Sequence, residues 1–215
     1  MPYGIVEQTV DANQLTELVS KLTGWSRLTT QQAEGNPLHH FVRGLIFSAE
    51  LVDMVEDLVC NGYHAGWGQL VDREGGLLSP ENDLIVYHGK PMKKWRTGSF
   101  TYSLIRSEDA VLVIQCRAIV RSVGEDLREY ATKAKGFCPH IWLFAECCWA
   151  KSTARSAQIA RDARAAGYEK FFYLYDHSRN EDVTHNFAGW HDFKQAIARS
   201  IRPVTRRRRS RSRRK

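Results

Sequence analysis

The sequence predicts an α/β fold with the element order α–β–β–β–α–β–α–β–α. Three observations carry this reading. A long amphipathic helix pattern fills residues 37–60. Three short β-type segments follow, the last an apolar run, Ala110–Val120. After that, helical and strand periodicities alternate to the end of the folded part, which implies right-handed crossovers and parallel pairing.

Each element has its own local grounds. Residues 11–23 place Leu15, Leu18, Val19 and Leu22 on one helical face. Residues 24–36 are polar and hold Gly24, Gly35 and Asn36, which reads as a loop. Pro37 opens the long helix with Asn36 as its cap, and Asn61-Gly62 closes it. Gly66–Val71 is the first strand, and the turn Asp72-Arg73-Glu74-Gly75-Gly76 leads toward the second, Asn82–His88. Lys90–Phe100 reads as a basic, aromatic loop. Ala110–Val120 is apolar enough for burial on both faces. Gly124–Lys135, Ser152–Ala166 and Ala188–Ile201 read as helices, with His140–Trp149 and Phe171–Tyr175 as the strands between them.

The 215 residues suit one domain at 37–203, preceded by an N-terminal helix and loop at 1–36 and followed by a tail at 204–215. A hydrophobic fraction of 43% and six Trp mark a folded chain. The net charge is +7. The tail residues Arg206, Arg207, Arg208, Arg209, Arg211, Arg213, Arg214 and Lys215 hold eight positive charges and no acid. Without them residues 1–205 stand at −1. The basic character therefore belongs to the tail, which is expected to be disordered and to bind polyanions by counterion release. Five cysteines form no CxxC pair and read as reduced thiols. A zinc site from Cys138, His140 and Cys147 has poor spacing. No apolar run reaches the roughly 18 residues of a membrane span. The expected setting is soluble and cytoplasmic, near the nucleoid, or nuclear in a eukaryotic cell.

Polar residues inside apolar strands are the chemical signal. Asp83 opens Asp83-Leu84-Ile85-Val86-Tyr87, and Gln115 and Arg117 interrupt Val111–Val120. A buried strand carries an acid, an amide and a guanidinium only where they face a cleft or one another. Adjacent strands bring the three to one point. An acid, then an acid or amide two residues before a base, is the layout of a metal-dependent phosphodiesterase site. The same residues also suit an internal polar network with Glu50, and Asp83 after Pro80 suits a turn cap. Lys93, Lys94, Trp95 and Arg96 suit a contact to a phosphate backbone with a stacked base. His39 and His40, and the basic residues Lys151, Arg155, Arg161 and Arg164, are further candidates, each with a solvated surface as the plainer reading.

Glu50 in the long helix, Gly68 to Asp72, Ser79 to Tyr87 and Val111 to Arg117 resemble the PD-(D/E)XK, restriction-endonuclease-like nuclease superfamily, through a bacterial family of unknown function within it. The resemblance spans residues 40–120. It implies an α-β-β-β-α-β-α-β core with a mixed sheet flanked by helices. It also implies a Mg²⁺- or Mn²⁺-dependent endonuclease acting on nucleic acid, DNA foremost, in a homodimer or larger assembly. Asp83 would be the first metal carboxylate and Glu50 would complete the metal network. The second acid falls on Gln115 and the lysine on Arg117. Gln115 brings no charge, and a guanidinium with a pKa above about 12 cannot act as a base. The alternative is a decayed nuclease fold that binds nucleic acid or serves as an adaptor, or a subunit or inhibitor of a larger nuclease.

Overall fold

The computed structural model describes residues 13–20, 38–97, 100–150, 152–177 and 183–201. Its centre is an eight-stranded mixed sheet, ordered β3-β4-β1-β2-β5-β6-β7-β8. The strands are β1 (Tyr63–Val71), β2 (Asn82–His88), β3 (Lys93–Thr97), β4 (Phe100–Arg106), β5 (Ala110–Val120), β6 (Ile141–Cys148), β7 (Lys170–His177) and β8 (Val183–His185). The helices are α1 (13–20), α2 (Leu38–Leu58), α3 (Glu125–Ala134), α4 (Thr153–Ala166) and α5 (Phe187–Ser200).

β2 pairs antiparallel with both β1 and β5. β5, β6 and β7 pair parallel, with α3 leading to β6 and α4 to β7, as the alternating second half predicts. β6 is buried along its whole length. Two cores flank the sheet. On one face Leu15, Leu18 and Val19 of α1, Phe47, Leu51 and Val55 of α2, and Phe193 and Ile197 of α5 meet Leu84, Ile114 and Phe144. On the other, Leu127, Tyr130 and Ala131 of α3 and Ile159 and Ala163 of α4 meet Ile85, Val113 and Leu143. The N-terminal helix thus shares the core of the main domain.

Helix limits follow local chemistry. The Ser152 side chain accepts from the Arg155 N–H at the start of α4, and Gly167 closes it at φ 116°, a left-handed conformation that favours glycine. Asn186 caps α5 by accepting from the Gly189 N–H at 3.0 Å.

Two segments correct the sequence reading. Lys90–Phe100 is not a loop throughout: Lys93–Thr97 forms the edge strand β3, antiparallel to β4. Charge at an edge hides strand periodicity and also protects the open edge from further pairing. β4 pairs parallel with β1 and was not expected at all. Its buried positions, Ser103 and Ile105, alternate with the half-exposed Tyr102 and Leu104, so no apolar-polar alternation marks it in the sequence. The short β8 adds an antiparallel edge at the far side.

All five cysteines are free, and four are buried. Burial pushes the Cys138 thiol up to about 11 and the Cys148 thiol up to about 12, so neither is a ready thiolate. Cys138 and Cys147 lie in opposite cores, so they do not converge with His140 on a zinc position. The His140 ring instead meets Glu169 at 2.9 Å. Among the described residues no helix is long and apolar enough to cross a membrane.

Candidate active site

The pairing of β2 with β5 places Leu84 opposite Ile114, so the residues just beyond, Asp83 and Gln115, stand side by side. The Gln115 amide Nε2 donates to Asp83 Oδ2, and the Cys116 backbone N–H donates to the same oxygen at 2.8 Å. Asp83 therefore bonds across to β5 and does not cap its own turn. Among the described residues no hydrogen bond falls on Oδ1. Burial dominates the carboxyl and raises its pKa to about 6. The Cys116 N–H, the nearby Arg117 charge and Gln115 act against that rise, and Glu81 adds to it.

Arg117 donates from Nη2 to Asp126 of α3 at 3.0 Å and from Nη1 to the Cys116 carbonyl at 3.3 Å. Its remaining N–H groups leave the fork partly open to a phosphate. Gln115 and Arg117 alternate with Ile114 and Cys116, which belong to the α2 core, so they face the α3 side of the sheet.

Glu50 is placed differently. Its helix packs on the other face, where Glu50 lines a cleft of about 660 Å³ with Asp53, Glu56, Trp67 and Lys94. The charges that act most on Asp83 are Arg117 and Glu81. The structure thus brings together Asp83, Gln115 and Arg117, and sets Glu50 apart from them.

A buried network beside Asp83 escaped the sequence reading. Asn82 is fully buried. It accepts from the Tyr130 hydroxyl at 2.5 Å and donates to Ser79 Oγ at 2.8 Å and the Pro80 carbonyl at 3.0 Å. Ser79 Oγ in turn accepts from the Leu70 N–H at 2.8 Å. The network fixes the start of β2, where the β1–β2 register shifts between Gly66 and Gly68. Asn82 beside Asp83 was visible in the sequence, but nothing there pointed to Tyr130 or Asp126, which lie far along the chain on α3.

The donor set can be tested against a metal. Among the described residues no group of three or more His, Cys, Asp or Glu converges on one. A hard cation such as Mg²⁺ keeps several waters and binds through one or two carboxylates. Asp83 Oδ1, with the Gln115 carbonyl once its amide is turned, fits such a largely hydrated ion, held more weakly than by two carboxylates.

Lys93, Lys94, Trp95 and Arg96 are exposed on β3. Arg155 donates to the Arg121 carbonyl at 3.1 Å and Arg161 to Gln158 at 2.6 Å. His39 and His40 fall in the first turn of α2. Lys151 and the tail residues 204–215 lie outside the described residues.

The raised pKa of Asp83 sets the sign of a stability prediction. A carboxyl whose pKa rises on folding favours the folded state fully below its unfolded value, near 3.8, and that contribution is lost as pH rises through about 6. At neutral pH the buried charge then costs of order 3 kcal/mol. In metal-free buffer Asp83→Asn is expected to raise the melting temperature by several degrees at about pH 8 and to change it little at about pH 4.5. An equal change at both pH values would remove the buried-charge explanation.

No family model matches the chain, and no curated protein matches it. Solved structures do. The cAAA-bound form of NucC from P. aeruginosa is 11% identical over 87% of this chain and 90% of that chain, with a TM-score of 0.55. The cAAA-bound form of NucC from E. coli is 13% identical over 90% of each chain, with a TM-score of 0.54. At such identity the likeness carries the fold alone: the chain has the mixed α/β fold of the NucC structures, with a mixed sheet flanked by helices as its sequence predicts.

Proposed function

We propose that the protein is a metal-dependent DNA endonuclease whose chemistry centres on Asp83, Gln115 and Arg117. One observation carries the reading: on a nuclease fold, β2 and β5 bring these three residues together at one point. Asp83 would hold Mg²⁺ or Mn²⁺, with Gln115 assisting. Such an ion neutralises charge on a scissile phosphate and lowers the pKa of bound water. The chain's own residues have distinct tasks. The Cys116 N–H and the Gln115 amide hold Asp83 Oδ2, so Oδ1 would be the oxygen that takes the ion. Arg117 binds the phosphate with its planar fork and stabilises developing negative charge, and Asp126 holds that fork in place. Arg117 cannot take the proton from water, so that proton would pass to the scissile phosphate or to bulk solvent. The Arg-rich tail raises the local concentration of DNA without reading its sequence.

A second reading is favoured by the donor set. Gln115 is neutral and its amide nitrogen sits on Asp83, while Arg117 is paired with Asp126. These contacts also suit a site that has lost its chemistry on a protein that binds nucleic acid. The double variant Gln115→Glu/Arg117→Lys separates the two. An active wild type is expected to keep its rate within about tenfold in the variant, because both sets bind a cation and a phosphate. An inactive wild type with an active variant would establish the decayed reading.

A further inference from the structure

Three aromatic rings form one row across the outer strands. Trp95 of β3 pairs in register with Tyr102 of β4, and Tyr102 with Trp67 of β1. Their ring centroids are 6.1 Å and 5.2 Å apart along the row. The row ends next to β2, where Gly68 pairs with Asn82, the neighbour of Asp83.

Its outer end is open. Trp95 is 43% exposed and Met92, close by in sequence, is 40% exposed. A large indole on an edge strand gains little by standing in water and much by being covered. The Lys93 ammonium lies 4.7 Å from the centre of the Trp95 ring. β3 carries Lys93, Lys94 and Arg96 and no acid, although residues 1–205 as a whole are at −1. By strand alternation Lys93 stands on the face of Trp95, so a positive charge lies beside the open indole, while Lys94 and Arg96 belong to the other face, where Lys94 lines the cleft of Glu50.

Aromatic faces beside ammonium groups match the chemistry of unpaired nucleotides. Each base has a π-face that stacks on Trp or Tyr whatever its sequence, and each phosphate meets a lysine. A duplex keeps its bases stacked on one another and offers such a surface only its phosphates. We propose that the Trp67–Tyr102–Trp95 row binds single-stranded nucleic acid, with bases on Trp95 and Tyr102 and a phosphate on Lys93. This deepens the nucleic-acid reading above and rests on it for the nature of the partner, but not for cleavage.

Binding of a labelled 20-nucleotide oligo(dT) and of a 20-base-pair duplex, followed by fluorescence anisotropy in EDTA, tests it on the full chain. Trp95→Ala is expected to weaken oligo(dT) binding about tenfold. Duplex binding should change less than twofold, and the dependence on salt, which reports phosphate contacts, should keep its slope. Trp95→Phe should retain most of the affinity. Trp95 is exposed, so matching melting temperatures are expected and show that the fold is kept. Three outcomes overturn the proposal: wild type that does not bind oligo(dT), Trp95→Ala that binds it as wild type does, and a variant that loses both ligands equally. The last two would assign Trp95 to a protein contact or to general surface packing. Since no hydrolysis is read, an inactive nuclease site leaves the result intact.

Discussion

Asp83→Ala is expected to abolish DNA cleavage, by roughly 10³-fold or more, while DNA binding persists. The size follows from the composition of the site. Among the described residues Asp83 is the carboxylate that accepts from the β5 backbone beside Gln115 and Arg117. Removing it leaves an amide and a guanidinium, which cannot hold a divalent cation by charge. Binding persists because β3 is separated from β2 by two strands and phosphate contacts add independently. Burial makes the variant stable enough to assay: the lost carboxylate is unfavourable at neutral pH, and the small Ala leaves the Asn82–Tyr130 network in place. Cleavage by Asp83→Ala at the wild-type rate would remove Asp83 from the site.

Phe193→Ala should have the largest effect on stability. Phe193 of α5 is fully buried. Its ring lies 4.6 Å from Phe144, 5.3 Å from Phe172 and 5.6 Å from Trp190, measured between centroids. Phe144 and Phe172 sit on the parallel strands β6 and β7, so one side chain fastens α5 to that half of the sheet. Truncating a buried Phe costs about 3–5 kcal/mol, the lost transfer energy plus a cavity that close-packed rings cannot fill. In a protein of this size that lowers the melting temperature by roughly 6–20 °C. A shift under about 2 °C, seen by thermal unfolding, would mean that α5 does not pack as described.

The sequence showed the interior of the fold more clearly than its margins. Ala110–Val120 is continuous and apolar because β5 is covered on both faces, and burial of that kind leaves little room for another reading. α3, α4 and α5 were legible through their apolar faces and through stops such as Gly167. The edge was not. β3 spells Lys-Lys-Trp-Arg-Thr, and an edge strand can satisfy its open side with water, so it needs no apolar pattern. The candidate site divides in the same way. Asp83, Gln115 and Arg117 stood out because charge and amide groups interrupt strands. Their partners did not, since Asp126 and Tyr130 look like ordinary helix residues until α3 is laid on the sheet. Glu50 was drawn from resemblance, and the packing of α2 on the opposite face sets it beside a different cleft.

The central claim is that this fold hydrolyses DNA through a metal held at Asp83. Supercoiled plasmid incubated with the purified full chain in Mg²⁺ or Mn²⁺, with EDTA and Asp83→Ala alongside, tests it most directly. The predicted result is conversion to nicked and linear forms with either metal, and none in EDTA or with the variant. Plasmid that stays supercoiled with both metals, yet shifts in mobility with the protein, would contradict the enzymatic account and leave a nucleic-acid-binding protein on a nuclease fold.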